Sequence, residues 1–259
     1  NARRAAESLR VLEELAKLTG APPSLQWETF KKARFAVYTM EQQLVFRLTR
    51  QELRQRISGV YLIIDPEMLA GRNEVEVARQ AIAGGARVIQ LRDKLRPRLQ
   101  VLEAARRIKE ACDQSGAIFL VNDYLDVAVA ADAHGLHLGQ TDLPLPQARR
   151  LLPQSKLLGS STATLEEALR AQELGADYVA EGSIYATSSK KVTRPVSLDL
   201  LRRVKQSVSV PVVAIGGITA DNVAPVIEAW ADAVAVISAV LSAPDVAQAT
   251  ARLAAQFKR

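Results

Sequence analysis

The feature that most constrains the fold is an alternation of short apolar runs with longer amphipathic stretches, which occurs eight times from about Val60 onward. The short runs are rich in β-branched residues and apolar at consecutive positions, as strands buried on both faces are. Several of the longer stretches begin with a capping residue such as Thr164 or Ser197. Eight βα units predict a protein of the α/β class, a closed TIM (β/α)8 barrel.

An open, doubly wound sheet is the competing fold. No G-x-G-x-x-G motif follows the first strand, and eight units favour closure. The predicted strands are Val60–Asp65, Arg87–Arg92, Ile118–Asp123, Gly135–Gln140, Leu157–Ser161, Tyr178–Gly182, Val212–Gly217 and Ala233–Ser238. The helices between them include Glu74–Ala83, Pro97–Gln114, Leu165–Leu174 and Leu198–Gln206.

Residues 1–55 differ from the rest, because they have helical periodicity without strand signals. They predict a small α-helical N-terminal segment with helices at Ala2–Leu18 and Leu25–Arg54, ahead of a barrel domain over residues 56–259. Two such helices cannot bury a core alone. We expect them to pack on the barrel, on a partner subunit, or on a missing upstream piece, since the first residue is Asn1 rather than Met.

Composition narrows the class of protein. The net charge is +6, but the basic residues are scattered along helices and not grouped with aromatics, so anionic phosphate substrates are expected and nucleic acid is not. No apolar run approaches the roughly 18 residues of a membrane span. Cys112 is the single cysteine, which excludes an internal disulfide and indicates a buried helix residue in a reducing, cytoplasmic compartment.

Charged and polar side chains follow the second, third and fourth strands. Arg92 and Lys94 lie where an anion could be held, although a solvated charge run is the alternative. Asp123 and Asp142 leave neighbouring strands, where two carboxylates can share one Mg²⁺ with substrate phosphates, and helix capping is the alternative for each.

The loops after the sixth and seventh strands contain hydroxyls, lysines and glycines. Hydroxyls and lysines occupy the loop Gly182–Lys191, and Gly216 and Gly217 precede a helix, as in the phosphate sites that barrels form after strands seven and eight. A tight turn is the alternative for the glycine pair. These residues predict a barrel enzyme with a metal–phosphate site and a second phosphate site, but not its substrate.

The segments QLRDK, VND, GLHLGQTD, GADYVAEGSIYAT and VVAIGGIT resemble the thiamine phosphate synthase family in order and spacing, over about Gly59 to Ala243. The resemblance implies a Mg²⁺-dependent transferase of thiamine biosynthesis. It would join 4-amino-2-methyl-5-(diphosphooxymethyl)pyrimidine to 4-methyl-5-(2-phosphooxyethyl)thiazole, with thiamine phosphate and pyrophosphate as products.

The resemblance also implies roles for individual residues. The pyrimidine diphosphate site would contain Gln90, Leu91, Arg92, Asp93, Lys94, Asn122, Ser161 and Lys190. The metal ligands would be Asp123 and Asp142. The thiazole phosphate site would contain Thr187, Ser188, Ser189, Gly217, Ile237 and Ser238. The catalytic residues that stabilise the charge growing on pyrophosphate would be Arg92, Lys94 and Lys190.

One segment departs from the family pattern. Glu181-Gly182-Ser183 stands where the family usually has a small uncharged residue and then Gly-Pro, and we expect Glu181 to be an inward charge of unknown role. The reaction needs no side chain as a nucleophile, so His134 and His137 are expected to be structural, although His137 lies next to the expected site.

The helical segment resembles the domain that precedes the synthase in extended members of the family and has been linked to pyrimidine phosphate kinase activity. It contains no G-x-x-x-x-G-K-[ST] loop, so we expect a docking or dimerisation module and not a kinase. Such a module could hold copies of this chain together as a homo-oligomer. Two other functions remain open, a thiazole tautomerase and a non-catalytic thiamine-precursor sensor. The presence of Arg92, Lys94, Asn122, Asp123 and Asp142 argues against the first.

Overall fold

The computed structural model describes residues 1–18, 22, 24–187 and 194–257. It divides the chain into two compact units, Asn1–Gln51 and Glu52–Arg259. Within the described residues, the helices are all too short or too polar to cross a membrane.

The first unit is helical. It contains α1 (Ala2–Leu15) and most of α2 (Trp27–Gln55), whose last residues belong to the second unit. The buried carboxylate of Glu13 accepts hydrogen bonds from Nε and Nη2 of Arg34 at 3.0 and 2.8 Å, which joins the two helices.

The second unit is a closed barrel of parallel strands, each paired with the next along the chain, and the last strand pairs with the first. This confirms the predicted TIM barrel. Its strands are β1 (Gly59–Ile64), β2 (Ala86–Leu91), β3 (Ile118–Asn122), β4 (Gly135–Leu138), β5 (Leu157–Thr162), β6 (Tyr178–Glu181), β7 (Val212–Ile215) and β8 (Ala233–Val236).

Helices follow the strands and cover the outside of the barrel. They are α3 (Glu74–Ala83), α4 (Arg98–Ser115), α5 (Leu125–Ala130), α6 (Leu145–Leu151), α7 (Leu165–Glu173), α8 (Leu198–Ser207), α9 (Ala224–Glu228), α10 (Ser238–Leu241) and α11 (Val246–Ala255), and a 3-10 turn spans Pro66–Met68. The predicted caps are confirmed. The side chain of Thr164 accepts from the N–H of Glu167 at 3.2 Å, and that of Ser197 from Leu200 at 3.1 Å.

Seven of the eight strands end one or two residues earlier than predicted, and at β3 and β7 the early end shapes the rim. Asp123 has a φ of 61°, so β3 stops at Asn122. Gly216 and Gly217 have φ of 105° and 62°, so β7 stops at Ile215. Left-handed backbone cannot continue a strand, and it turns the following residues over the mouth of the barrel.

Strand side chains alternate between two layers. Inward residues such as Tyr61, Leu120 and Tyr178 fill the barrel, while their neighbours Leu62 and Val179 pack under the helices. Tyr178 on β6 lies opposite Gly159 on β5. A Cβ at Gly159 would collide with the Tyr178 ring, so glycine makes room for the largest inward side chain here.

We therefore expect Gly159→Ala to destabilise the fold by about 2 kcal/mol, because extra volume in a packed core forces strain. The three nearest atoms to the added carbon all belong to Tyr178. In a Tyr178→Ala background, Gly159→Ala should therefore cost much less. Urea unfolding of the four proteins measures both values, and equal costs in the two backgrounds would contradict the packing argument.

Candidate active site

A cavity of about 740 Å³ opens at the carboxyl ends of the strands, where the catalytic face of such barrels lies. Most of the predicted site residues line it. They are Gln90, Arg92, Lys94, Asn122, Asp123, Asp142, Ser161, Thr187, Gly217, Ile237 and Ser238. Ser188, Ser189 and Lys190 lie outside the described residues.

Two carboxylates and a lysine form one corner of this cavity. The Asp123 carboxyl lies within hydrogen-bonding reach of Asp142, and Lys94 Nζ is 3.0 Å from Asp123 Oδ2. Burial, and next to it the neighbouring Asp142, raise the pKa of Asp123 above its usual value. The corner thus holds more negative charge than Lys94 alone can offset.

A hard cation fits this corner. Asp142 Oδ2 accepts from the N–H of Gly139 at 2.7 Å, which fixes its carboxylate beside Asp123. Within the described part of the chain, no three His, Cys, Asp or Glu side chains group as metal ligands. Two carboxylates match Mg²⁺, which commonly takes one or two of them with substrate phosphates and water.

Asp65 and Arg92 form an ion pair beside the same corner. Arg92 Nη1 donates to Oδ2 of Asp65, which is buried at the end of β1. The other oxygen of Asp65 accepts from the N–H of Glu67 at 3.2 Å. Asp65 therefore holds the guanidinium in place, a role that the sequence analysis did not assign to it.

Leu91 and Asp93 are two predicted site residues that the structure does not place in the cavity wall. Leu91 points outward from β2 and packs under the helices. The carboxylate of Asp93 accepts from the N–H groups of Leu95 and Arg96 and pairs with the Arg96 side chain. Asp93 therefore shapes its loop and does not face the cavity.

The opposite side of the cavity contains neutral groups and one unforeseen cation. After β7, the backbone turns at Gly216 and Gly217. Ser183 and Ala186 lie so close to this turn that a Cβ at either glycine would collide with them. Arg194 also lines the cavity, and its Nη2 lies 2.7 Å from Oε1 of Glu167. Arg194 could not be predicted from the polar residues at the strand ends, because it follows no strand directly.

His137 lies in the cavity wall, in agreement with its expected position next to the site. Its Nε2 is 2.9 Å from Ser161 Oγ. A structural role suits His134, since its Nδ1 accepts from the N–H of Phe119 at 2.9 Å directly before β4.

Glu181 is not the inward charge that we expected. Tyr178 and Ala180 point into the barrel, so the alternation of the strand turns Glu181 outward, where it is fully buried. One carboxyl oxygen accepts from Thr162, and the other has no hydrogen-bond partner among the described residues. Burial raises the pKa of Glu181 to about 7, while Thr162 and Arg194 oppose the shift and Glu167 adds to it.

The fold and the site define a (β/α)8 barrel with a cavity at its mouth that is lined by cations, carboxylates and hydroxyls. Residues 60–240 match the family described as thiamine monophosphate synthase. The chain belongs to the thiamine monophosphate synthase family. Residues 1–43 match a second family, described as the ThiD2 family.

Individual relatives agree with this assignment. The thiamine-phosphate synthases of Moorella thermoacetica and Shouchella clausii are each 49% identical to this chain. The first match covers 75% of this chain and 93% of the relative, and the second covers 77% and 96%. A solved structure, the thiamine phosphate pyrophosphorylase from Pyrococcus furiosus, is 40% identical with a TM-score of 0.73, covering 79% of this chain and 96% of that one.

The raised pKa of Glu181 predicts that the free energy of unfolding depends on pH. Its pKa is raised from 4.5 to about 7, so the folded protein holds this proton more tightly than the unfolded chain. The resulting stability is fully present below about pH 4.5 and is lost as the pH rises through 7. Relative to the wild type, Glu181→Gln should gain about 2 to 3 kcal/mol between pH 5 and pH 8.

Urea unfolding at both pH values measures this gain. Glu173→Gln is the matched control, because the Glu173 side chain is exposed on α7 and pairs only with Arg170 among the contacts described. A pH-independent difference between wild type and Glu181→Gln would show that Glu181 is ionised in the fold.

Proposed function

We propose that this chain is a thiamine phosphate synthase, a transferase that joins the pyrimidine diphosphate to the thiazole phosphate and releases pyrophosphate. The observation that carries the proposal is the corner of Asp123, Asp142 and Lys94, beside Arg92 in a single cavity. Such a corner suits a diphosphate with its metal ion. Membership of the family and the names of the relatives support the substrate pair.

The proposed chemistry breaks one bond and forms another. The bond between the pyrimidine methylene and the bridging oxygen breaks, and pyrophosphate leaves with the electron pair. The amino group of the ring delocalises the resulting positive charge, and the thiazole nitrogen then forms the new carbon–nitrogen bond. The protein need supply only orientation and charge, which agrees with a site rich in cations and hydroxyls.

Arg92 and Lys94 would stabilise the charge that grows on pyrophosphate. Arg92 can contact two phosphate oxygens at once, and Asp65 holds it oriented before the substrate arrives. Lys94 is 46% exposed and can leave Asp123 for a phosphate oxygen. By resemblance, Lys190 would add a third positive charge.

Asp123 and Asp142 would hold Mg²⁺. When bound, the ion would neutralise charge on the diphosphate. The left-handed backbone at Asp123 supports this role, because strained residues concentrate at functional sites.

The thiazole phosphate would bind on the opposite side of the cavity. Thr187, Gly217, Ile237 and Ser238 line that side, and the resemblance adds Ser188 and Ser189. The two glycines keep the backbone near Ser183 and Ala186 free of side chains, so that N–H groups and hydroxyls can face an anion.

The direct test of function is to mix both phosphorylated precursors with Mg²⁺ and to measure thiamine phosphate and pyrophosphate. Equal amounts of the two products are expected. Release of pyrophosphate without thiamine phosphate, or no reaction, would contradict the proposal.

Asp123→Asn and Asp142→Asn should each lower turnover about 10²-fold or more and raise the Mg²⁺ concentration needed for half-maximal rate. Each change keeps the side-chain shape but removes a charge from the corner. Asp199→Asn, on the exposed surface of α8, is the control and should titrate with Mg²⁺ as the wild type does. Wild-type rates in excess chelator would refute the metal assignment.

Arg92→Ala should lower kcat about 10²-fold and leave the KM for thiazole phosphate nearly unchanged, because the lost contact acts on the leaving group. Arg92→Lys should recover only part of the rate, since an ammonium cannot grip two oxygens. Arg170→Ala, with a side chain 67% exposed on α7, is the control. If Arg92→Ala raises only the KM for thiazole phosphate, the two phosphate sites must be exchanged.

A further inference from the structure

A row of hydrogen-bonded side chains crosses the barrel beneath the cavity. On one side, Gln90 Nε2 donates to Asn122 Oδ1 at 2.7 Å, and the hydroxyl of Tyr61 donates to Gln90 Oε1. The hydroxyls of Tyr61 and Tyr178 are 3.0 Å apart at the centre of the barrel.

The row continues to the other wall of the barrel. The Tyr178 hydroxyl is 2.9 Å from His137 Nδ1, and His137 Nε2 is 2.9 Å from Ser161 Oγ. We name these six side chains the floor row: Asn122, Gln90, Tyr61, Tyr178, His137 and Ser161. Both ends of the row line the cavity, whereas the two tyrosines do not.

The order of protons along the floor row follows from the amide of Gln90. Its Nε2 donates to Asn122, so its Oε1 can only accept, and the Tyr61 proton must point to it. A hydroxyl has one proton, so the 3.0 Å contact between the two hydroxyls is a hydrogen bond only if Tyr178 donates to Tyr61. The Tyr178 oxygen must in turn accept from Nδ1 of His137.

The same order determines what Ser161 presents to the cavity. A neutral imidazole with its proton on Nδ1 has a bare Nε2, which accepts the proton of Ser161. Ser161 then faces the cavity with its lone pairs. At the other end, Asn122 has its oxygen engaged by Gln90 and offers its N–H groups.

We propose that Tyr61 and Tyr178 are positioning residues that fix this proton order, so that the cavity floor offers donors at Asn122 and an acceptor at Ser161. A ring with an acceptor nitrogen and an amino donor matches this pattern, whereas a ring with an oxo group in place of the amino group does not. The identification of the bound ring as an aminopyrimidine rests on the proposed function. The proton order rests only on the contacts of the floor row.

The burial of Tyr61 and Tyr178 explains why they can fix the proton order of the floor row. Tyr61 and Tyr178 are 1% and 0% exposed, and burial raises the pKa of both well above the usual value, so each keeps its proton. A buried hydroxyl that loses its partner is costly, and a row of such bonds therefore resists reversal of any single member.

The first experiment reads the proton order without any assay of activity. The chain contains two histidines, and they should show opposite tautomers in the NMR spectrum of protein labelled with ¹⁵N-histidine. His134 accepts at Nδ1 and its pKa is lowered to about 4 by burial, so at pH 7 its proton lies on Nε2. His137 should have its proton on Nδ1, and His134→Gln assigns the two sets of signals.

A proton on Nε2 of His137 would overturn the proposal, because Nδ1 would then accept from Tyr178, and Ser161 would accept from the ring and donate to the cavity. A doubly protonated His137 would also overturn it, since Ser161 would then have to accept from the ring and would donate to the cavity.

The second experiment tests the consequence for binding. Tyr178→Phe should lower kcat/KM for the aminopyrimidine diphosphate about 10-fold and reduce its preference over the oxo analogue, while the KM for thiazole phosphate stays unchanged. The same variant should show His137 in a mixture of tautomers. Tyr61→Phe removes the hydroxyl between Gln90 and Tyr178, and it replaces Tyr178→Phe in this experiment if that variant does not fold.

Thr250→Val is the matched control, because it removes a fully buried hydroxyl on α11 whose partner is the carbonyl of Val246. It should lose stability but keep the preference between rings. Wild-type discrimination and an unchanged His137 signal in both tyrosine variants would refute the positioning role. If the wild-type protein makes no thiamine phosphate, the proposed function fails, and the ¹⁵N spectrum still decides the proton order.

Discussion

The pairing of the last strand with the first is the interaction on which the rest of the structure depends. β8 pairs with β1 from Gly59 and Ala233 to Leu62 and Val236, and it closes the sheet. Closure sets the carboxyl ends of all the strands around one rim. Gln90 and Ser238, which are far apart in the sequence, therefore line the same cavity.

The cavity combines two kinds of preorganisation. At the corner of Asp123, Asp142 and Lys94, Asp123 stands on left-handed backbone, and burial together with the neighbouring Asp142 raises its pKa, so a bound cation would stabilise its charged form. At the floor, every side chain of the row has a hydrogen-bond partner within the protein, so its orientation is fixed before a ring binds. Charge thus accumulates where phosphates would bind, and neutral hydrogen bonds lie where a heterocycle would bind.

Much of this could be predicted from the sequence, because eight repeats and the polar residues after each strand already indicate the rim. Two residues within strands, Glu181 and Leu91, point elsewhere than the sequence analysis expected. Counting alternate positions from Tyr178 would have placed Glu181 outside the barrel, and the same count from Gln90 places Leu91 outside. The pairing of Asp65 with Arg92 and the two tyrosines at the centre depend on the diameter and stagger of the closed barrel, which the sequence pattern does not contain.

Closure also determines the order in which parts of the barrel can form during synthesis of the chain. The first strand leaves the ribosome about 170 residues before its partner, and loop closure over such a distance is slow. Until Ala233–Val236 is made, the growing sheet has two open edges, and both can recruit strands from other chains. The carboxylate corner belongs to the neighbouring strands β3 and β4 and can assemble early, whereas the wall formed by Ile237 and Ser238 is made last. A nascent chain would therefore form the corner of Asp123 and Asp142 before the wall at Ile237 and Ser238.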